Sequence, residues 1–235
     1  MVVELVETTT GGITMDETEE LLEDEDGKKK SVRIEKILDV AFELFSTREI
    51  ESVTMNDIAQ KAKIGVASLY RYFETKEILV VKTATHIWSN RMEDVLPNLV
   101  KPKYTNADGY SQLKVIFDLF VKLYVKHTDF FRFIYLFDAY AVKEKIPKDK
   151  MANYESVILL VKQIISVAIQ KGVEDGTINQ KYAKYGDALY FTLIHTFFSA
   201  AQKLALSGNL LDMDSQMNAA KQLTFLADIL LEGLK

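Results

Sequence analysis

At 235 residues, 48% of them hydrophobic, the chain is long enough to bury more than one modest core and too apolar to be unstructured throughout. It contains no cysteine, which excludes disulfides, thiolate metal sites and a cysteine nucleophile. The net charge of −5 would ordinarily argue against a nucleic-acid partner, but it is unevenly spread. Residues 1–27 hold ten carboxylates and no lysine or arginine, whereas residues 28–82 hold eleven basic and eight acidic side chains.

Residues 1–30 carry a threonine run, a glycine pair and a dense acidic block that meets Lys28, Lys29 and Lys30 abruptly. This composition predicts a disordered acidic tail. The N-terminus has no basic start followed by an apolar run, and the most apolar later stretch is interrupted by Lys162 and Gln163. A cytoplasmic protein with no membrane partner is expected.

From Arg33 to Phe45, residues Ile34, Ile37, Leu38, Ala41, Phe42 and Phe45 form one stripe of a first helix. Thr54-Met-Asn-Asp57 then reads as a capping box, with Ile58, Ala59 and Ala62 giving a short apolar face. Lys63-Ile64-Gly65 breaks that helix. A second helix over 66–73 has Leu69 and Phe73 at i, i+4 spacing, and its outer face is small or hydrogen-bonding: Val66, Ala67, Ser68, Tyr70, Arg71 and Tyr72. Two short helices joined so tightly, with a face free of bulky aliphatics, make a helix-turn-helix able to reach base edges in a major groove.

Thr75 is placed to cap a long helix over 75–96. Further helices are predicted at 109–126, 128–144, 149–172, 180–207 and 212–233, punctuated by Pro97 with Pro102, Pro147, Gly172 with Gly176, and Gly208. No segment sustains period-two alternation, so the fold class is all-α. Aromatic residues are dense in one helix pair, including Phe117, Phe120, Tyr124, Phe131 and Tyr135, with Trp88 on the long helix. Helical spacing of this kind usually means core, but here the rings exceed one face of a helix.

Three pieces stand at family spacing: Ala41, Leu44 and Phe45 closing the first helix; Thr54, Ile58, Ala59 and Ala62; and Leu69, Tyr70, Phe73 and Lys76. Together they resemble the N-terminal domain of TetR/AcrR-family transcriptional repressors. The likeness is close over about a fifth of the chain. It implies a three-helix DNA-binding domain at 31–76 and a larger helical ligand-binding and dimerisation domain at 77–235. Two departures stand out. Arg48-Glu49-Ile50 replaces a glycine and an aromatic, which predicts a looser loop. Lys63-Ile64-Gly65 replaces Gly-Val-Ser, which removes the usual side-chain cap of the recognition helix.

The resemblance further implies that Thr54 and Lys76 hold phosphates and that Tyr70 and Tyr72 contact the DNA backbone. Lys63 adds a charge near that backbone, while Val66, Ala67, Ser68 and Arg71 face bases or nearby phosphates of a double-stranded operator. A lysine at a positive helix end, as Lys76 is, reads as calling for an outside anion. A homodimer is implied, built on Ala188, Phe191, Thr192, His195, Ser199 and Ala200 with a leucine stripe over 223–231, and suited to a near-palindromic operator. A pocket for a small apolar or aromatic ligand is implied as well, drawing on Trp88, Phe117, Phe120, Tyr124, Phe131, Tyr135, Phe191 and His195.

An enzyme is the competing class, but its chemistry is thin. His86, His127 and His195 are far apart and fit no metal-ligand spacing, and no phosphate loop or nucleophile elbow is present. No catalytic residue, metal or cofactor is expected. The remaining alternative is a DNA-binding factor of the same fold with no small-molecule ligand, acting on chromosome organisation or division.

Overall fold

The computed structural model describes residues 20–207 and 210–235, and among these every regular element is a helix. The α-helices are α1 (Glu20–Thr47), α2 (Met55–Lys61), α3 (Val66–Phe73), α4 (Lys76–Leu99), α5 (Pro102–Thr105), α6 (Gly109–Lys126), α7 (Thr128–Lys143), α8 (Ala152–Glu174), α9 (Asp187–Ser207) and α10 (Ala219–Glu232). Single 3-10 turns occupy Ile50–Ser52, Lys148–Met151, Gln180–Tyr185 and Asp212–Gln216. Three of these replace the first turns of helices expected at 149, 180 and 212.

Other boundaries also differ from expectation. The tail expected over 1–30 is partly helix: α1 begins at Glu20, while residues 1–19 lie outside the described residues. Pro97 does not stop α4, which runs on to Leu99. A proline so near the end deprives only one carbonyl of its helical partner.

The chain divides into two compact units. The first comprises, in its described part, residues 20–90 and 133–157, so its contacts run past residue 76 and take in a later stretch of chain. Its core joins Ile37, Ala41 and Phe45 of α1, Ile58 and Ala59 of α2, Leu69 and Phe73 of α3, and Leu79 and Val80 of α4, all essentially inaccessible to solvent. Phe133 explains why the end of α7 belongs here. Its ring meets Phe42 edge-on at 5.4 Å and stacks over Phe45 at 6.3 Å. The loop after α1 is tight, not loose: the Arg48 guanidinium donates to the Ser52 carbonyl at 3.0 Å, and Ile50 is fully buried in place of the missing aromatic.

The second unit comprises residues 91–132 and 158–235 in its described part. Here α6 packs on α10 and α10 on α9. Leu113, Phe117 and Phe120 of α6 and Leu223, Ala227 and Leu231 of α10 are buried. The leucine stripe expected at a dimer face is therefore largely core of the unit itself. Polar pairs edge the α6–α10 contact: Lys114 with Asp228 at 2.9 Å and the Tyr110 hydroxyl donating to Glu232 at 2.8 Å. Gly109 and Gly172 bring α6 and α8 so close that a Cβ on Gly109 would collide with the Gly172 backbone. That close approach is why Gly172 sits inside α8 and does not end it.

By length and composition alone, Lys148–Glu174 is apolar enough to cross a membrane, contrary to the sequence expectation. In the second unit, its residues Val161, Ile164, Ile165 and Ala168 are buried, and Lys162 pairs with Asp187 at 2.5 Å. One face of the helix is therefore core, while 28% of its apolar window is buried in all.

Candidate nucleic-acid interface

The helix-turn-helix is built by local chemistry. Thr54 caps α2 as expected: its hydroxyl accepts from the Asp57 amide at 3.1 Å and donates to the Asp57 carboxylate at 2.9 Å. That carboxylate also accepts from the Thr54 amide at 2.8 Å. These bonds, with the Arg48 guanidinium nearby, hold Asp57 below the usual carboxylate range. The Thr54 hydroxyl is thus already engaged within the protein.

The turn that follows closes by two bonds, Ile64 N–H to the Ala59 carbonyl at 3.0 Å and Lys63 N–H to that of Gln60 at 3.1 Å. This is the Schellman arrangement, which demands a left-handed residue at its centre. Lys63 fills that position with φ 56°. Because a Cβ is disfavoured there by about 1–2 kcal/mol, Lys63→Gly should stabilise the protein by about 1 kcal/mol in denaturant unfolding. An unchanged or lower midpoint would contradict this account of the turn.

Gly65 enters α3 at φ −69°, without a side-chain cap, and nothing lies within 4 Å of where its Cβ would be. Neither space nor backbone requires glycine here; its effect is to leave the helix entrance bare. Beyond it, Val66, Ala67, Tyr70 and Arg71 are exposed, Ser68 and Tyr72 are half-buried, and Leu69 and Phe73 are buried. The Arg71 guanidinium lies 5.8 Å from the Tyr72 ring, which meets Phe73 edge-on. Four of the six residues expected on the reading face are therefore presented outward together.

The exit from α3 is strained. Glu74 has φ 59° and ψ −57°, and the Thr75 amide reaches the Phe73 carbonyl at 2.5 Å, a γ-turn of the disfavoured hand. Thr75 then caps α4, its hydroxyl accepting from Ile78 N–H at 3.3 Å. Lys76 already has partners within the protein: its ammonium donates to the Glu51 carbonyl at 3.2 Å and lies 5.8 Å from the Tyr140 ring centre. Burial lowers its pKa, against the pull of Glu51, Glu77, Glu144 and Asp57. No outside anion is needed to account for a lysine at this helix start. Glu51 also pairs with Lys143 at 2.8 Å, so one residue clasps both the start of α4 and the end of α7.

Sequence reasoning missed a second basic group. Val32, Arg33, Lys36, Ile37, Ala62, Lys63 and Ile64 line a groove of about 390 Å³ beside the turn. The signal was present as Arg33 and Lys36 at i, i+3 on the outer face of α1, opposite the stripe used to find that helix.

The expected ligand residues separate into groups. Phe117, Phe120, Tyr124 and Phe131 are buried in the second unit, and Phe117, Phe120 and Phe131 meet two rings the sequence reading overlooked, Phe197 and Phe198, at 5.2–5.5 Å. Phe131 also lies 5.4 Å from Tyr124. Trp88 is buried in the first unit, beside Tyr154. Tyr135 is 45% exposed and Phe191 44% exposed, and His195 is exposed with its ring 5.4 Å from that of Phe191. Phe191 and His195 therefore face outward on α9, along with Ala188, Thr192 and Ser199, because the inward positions of that helix are taken by Leu189, Tyr190, Leu193, Ile194 and Phe197. On α10, Phe225 and Ile229 are likewise exposed. A separate cavity of about 320 Å³, lined in part by Ile169, Val173, Tyr182 and Ala183, includes none of the expected ligand residues.

The other two histidines have structural partners. His86 contacts Asp39 at 2.9 Å, and His127 contacts Asp94 at 3.0 Å. Among the described residues no cluster of side chains has the make-up of a metal site.

Comparison with known proteins converges on this geometry. Residues 37–82 match the model for bacterial regulatory proteins of the tetR family. The Staphylococcus epidermidis negative transcriptional regulator of the icaADBC biofilm operon, IcaR, is 32% identical over 97 residues, covering 39% of this chain and 51% of that protein. The chain spans about half the length of the curated relatives it matches in this way. The fatty acid degradation regulator FadR from Bacillus halodurans superposes with a TM-score of 0.65 at 13% identity, over 86% of this chain and 96% of that one. Thermus thermophilus FadR, solved in complex with lauroyl-CoA, superposes at 0.56 with 20% identity, over 86% and 95%. Over residues 37–82 the chain carries the helix-turn-helix domain of the tetR family of bacterial regulatory proteins.

Proposed function

We propose that the protein is a ligand-responsive repressor that binds a near-palindromic operator as a homodimer in the cytoplasm. The observation that carries this reading is the outward presentation of Val66, Ala67, Tyr70 and Arg71 on a helix whose other side is buried. Val66 and Ala67 suit contact with thymine methyl groups, Arg71 suits guanine or a phosphate, and Tyr70 and Tyr72 suit the backbone. Lys63 lies at the turn that precedes them. Thr54 and Lys76 enter on different terms, since binding a phosphate requires each to exchange a partner it already has.

The exposed pairs Phe191 with His195 on α9 and Phe225 with Ile229 on α10 support the dimer, because exposed apolar groups of this kind are stabilised by a matching surface. Two reading helices then address successive major-groove turns about 34–36 Å apart. The lauroyl-CoA held by Thermus thermophilus FadR supports a ligand with an extended apolar portion. Such a ligand relieves repression only by its differential affinity for the DNA-bound and free states.

Selection of genomic fragments by the purified protein, followed by anisotropy titration on the recovered operator, tests the reading. Arg71→Ala should weaken operator binding at least tenfold, and reduce the salt slope by about one if its partner is a phosphate. Lys76→Met should weaken it less than Arg71→Ala, because Lys76 begins tied to Glu51. Equal binding by wild type and Arg71→Ala across sequences and salt would sink the assignment of α3 as reader.

A second reading keeps the DNA-binding dimer and drops the ligand. It is favoured by the packing of Phe117, Phe120 and Phe131 against Phe197 and Phe198. Operator affinity unchanged in saturating medium- and long-chain acyl-CoA would favour it over ligand response of that class.

A further inference from the structure

The groove beside the turn combines two properties. Its floor is apolar, with Ile37 and Ala62 buried, Ile64 half-buried and Val32 65% exposed. Its rim carries Arg33, Lys36 and Lys63, all exposed, and among the described residues none of the three is in an ion pair. A basic rim over an apolar floor selects an acidic segment with a few hydrophobic side chains. Residues 6–19 of the same chain have that composition. They hold Glu7, Asp16, Glu17 and Glu19, no lysine or arginine, and the apolar Val6, Ile13 and Met15.

The reach is sufficient. Twelve helical residues separate Glu20 from Val32, a rise of about 18 Å. Fourteen extended residues before Glu20 span up to about 46 Å, so the segment is able to return along α1 and still cover the groove. Because the segment is tethered, its effective concentration at the groove lies in the millimolar range, and a weak contact suffices to fill it.

We propose that residues 6–19 dock in this groove of their own chain and occupy the basic approach to the recognition helix until DNA displaces them. The acidic segment is then a built-in competitor for the operator, raising the threshold for binding. It acts at Lys63, three residues before α3 begins, by neutralising the charges that a phosphate backbone would otherwise meet. The inhibitory part of the proposal rests on the repressor reading above; the docking part does not.

The chain has no cysteine, so Thr9→Cys in the 235-residue chain gives one site for a nitroxide label. Paramagnetic broadening of the backbone amides, read by NMR without DNA, should centre on Ala62, Lys63 and Ile64 and leave Leu231 sharp. Ile13→Ser with Met15→Ser, and separately Lys36→Glu with Lys63→Glu, should each remove that broadening while the remaining spectrum keeps its native dispersion. Sharp signals at 62–64 in the labelled parent overturn the docking, as does broadening that survives both pairs of substitutions. In the unlabelled 235-residue chain, Glu7→Gln, Asp16→Asn, Glu17→Gln and Glu19→Gln together should tighten operator binding about tenfold at low salt. Ile13→Ser with Met15→Ser should tighten it similarly. Tightening by the first set alone indicates diffuse repulsion and overturns the groove as the site. Docking with unchanged operator affinity overturns the inhibition. A protein that binds no DNA in any form refutes the repressor reading, while the broadening experiment still decides the docking.

Discussion

Gly109→Ala is expected to cost about 3–5 kcal/mol of stability, among the largest losses available to a single methyl group in this chain. The added Cβ would fall on the backbone nitrogen and Cα of Gly172 and close to the Ala168 carbonyl. No side-chain rotation relieves a clash with backbone, so α6 and α8 must separate. Separation also strains the bonds that seat the start of α6, from Gly109 N–H to Asp175 at 2.8 Å and from Tyr110 N–H to Thr177 at 3.2 Å. Chemical denaturation monitored by circular dichroism measures the effect. The conformational gain that alanine ordinarily brings to a helix is under 1 kcal/mol and does not offset it. A loss below about 1 kcal/mol would show that the two helices are not in close contact.

Phe133→Ala should be comparably damaging, at about 3–5 kcal/mol, because it opens a cavity among Phe42, Phe45 and Phe137. Phe133 is fully buried, and with the Glu51–Lys143 pair it holds the end of α7 to the helix-turn-helix. A chain of this size loses roughly 10 °C in melting temperature for such a change. Phe133→Leu keeps most of the volume and should cost less than about half as much. Operator binding supplies the second readout: Phe133→Ala should weaken it at temperatures where the protein stays folded, since α1 supports the helices that present the reading face. Full stability in Phe133→Ala would mean that the ring stack contributes nothing to the first unit.

The helix-turn-helix was legible in the sequence because it is specified by neighbours. Thr54 and Asp57 are three apart, Lys63 to Gly65 break the chain, and Leu69 and Phe73 lie one helical turn apart. Features that depend on distant partners were not legible in this way. Nothing local tells that Phe133 will select Phe42 and Phe45 and so join the end of α7 to the first unit. Nor does local charge reveal that a carbonyl 25 residues upstream will take the Lys76 ammonium. The ligand residues show a further limit. Counting aromatics does not separate rings that pack on one another, as Phe120 and Phe131 do on Phe198, from rings that line a space. The opposite faces of α9 were separable only once Tyr190, Leu193 and Phe197 were seen to turn inward, leaving Phe191 and His195 outside.

The turn at Glu74 carries a mechanical consequence. Between the last residue of α3 and the cap of α4 lies a single residue, pinned by the contact from Thr75 N–H to the Phe73 carbonyl. A linker of several flexible residues absorbs rotation; a one-residue link in a strained conformation has no slack to absorb it. Any reorientation of α4 therefore reaches the reading helix across one peptide unit, undamped. The lever and its working end therefore turn as one piece.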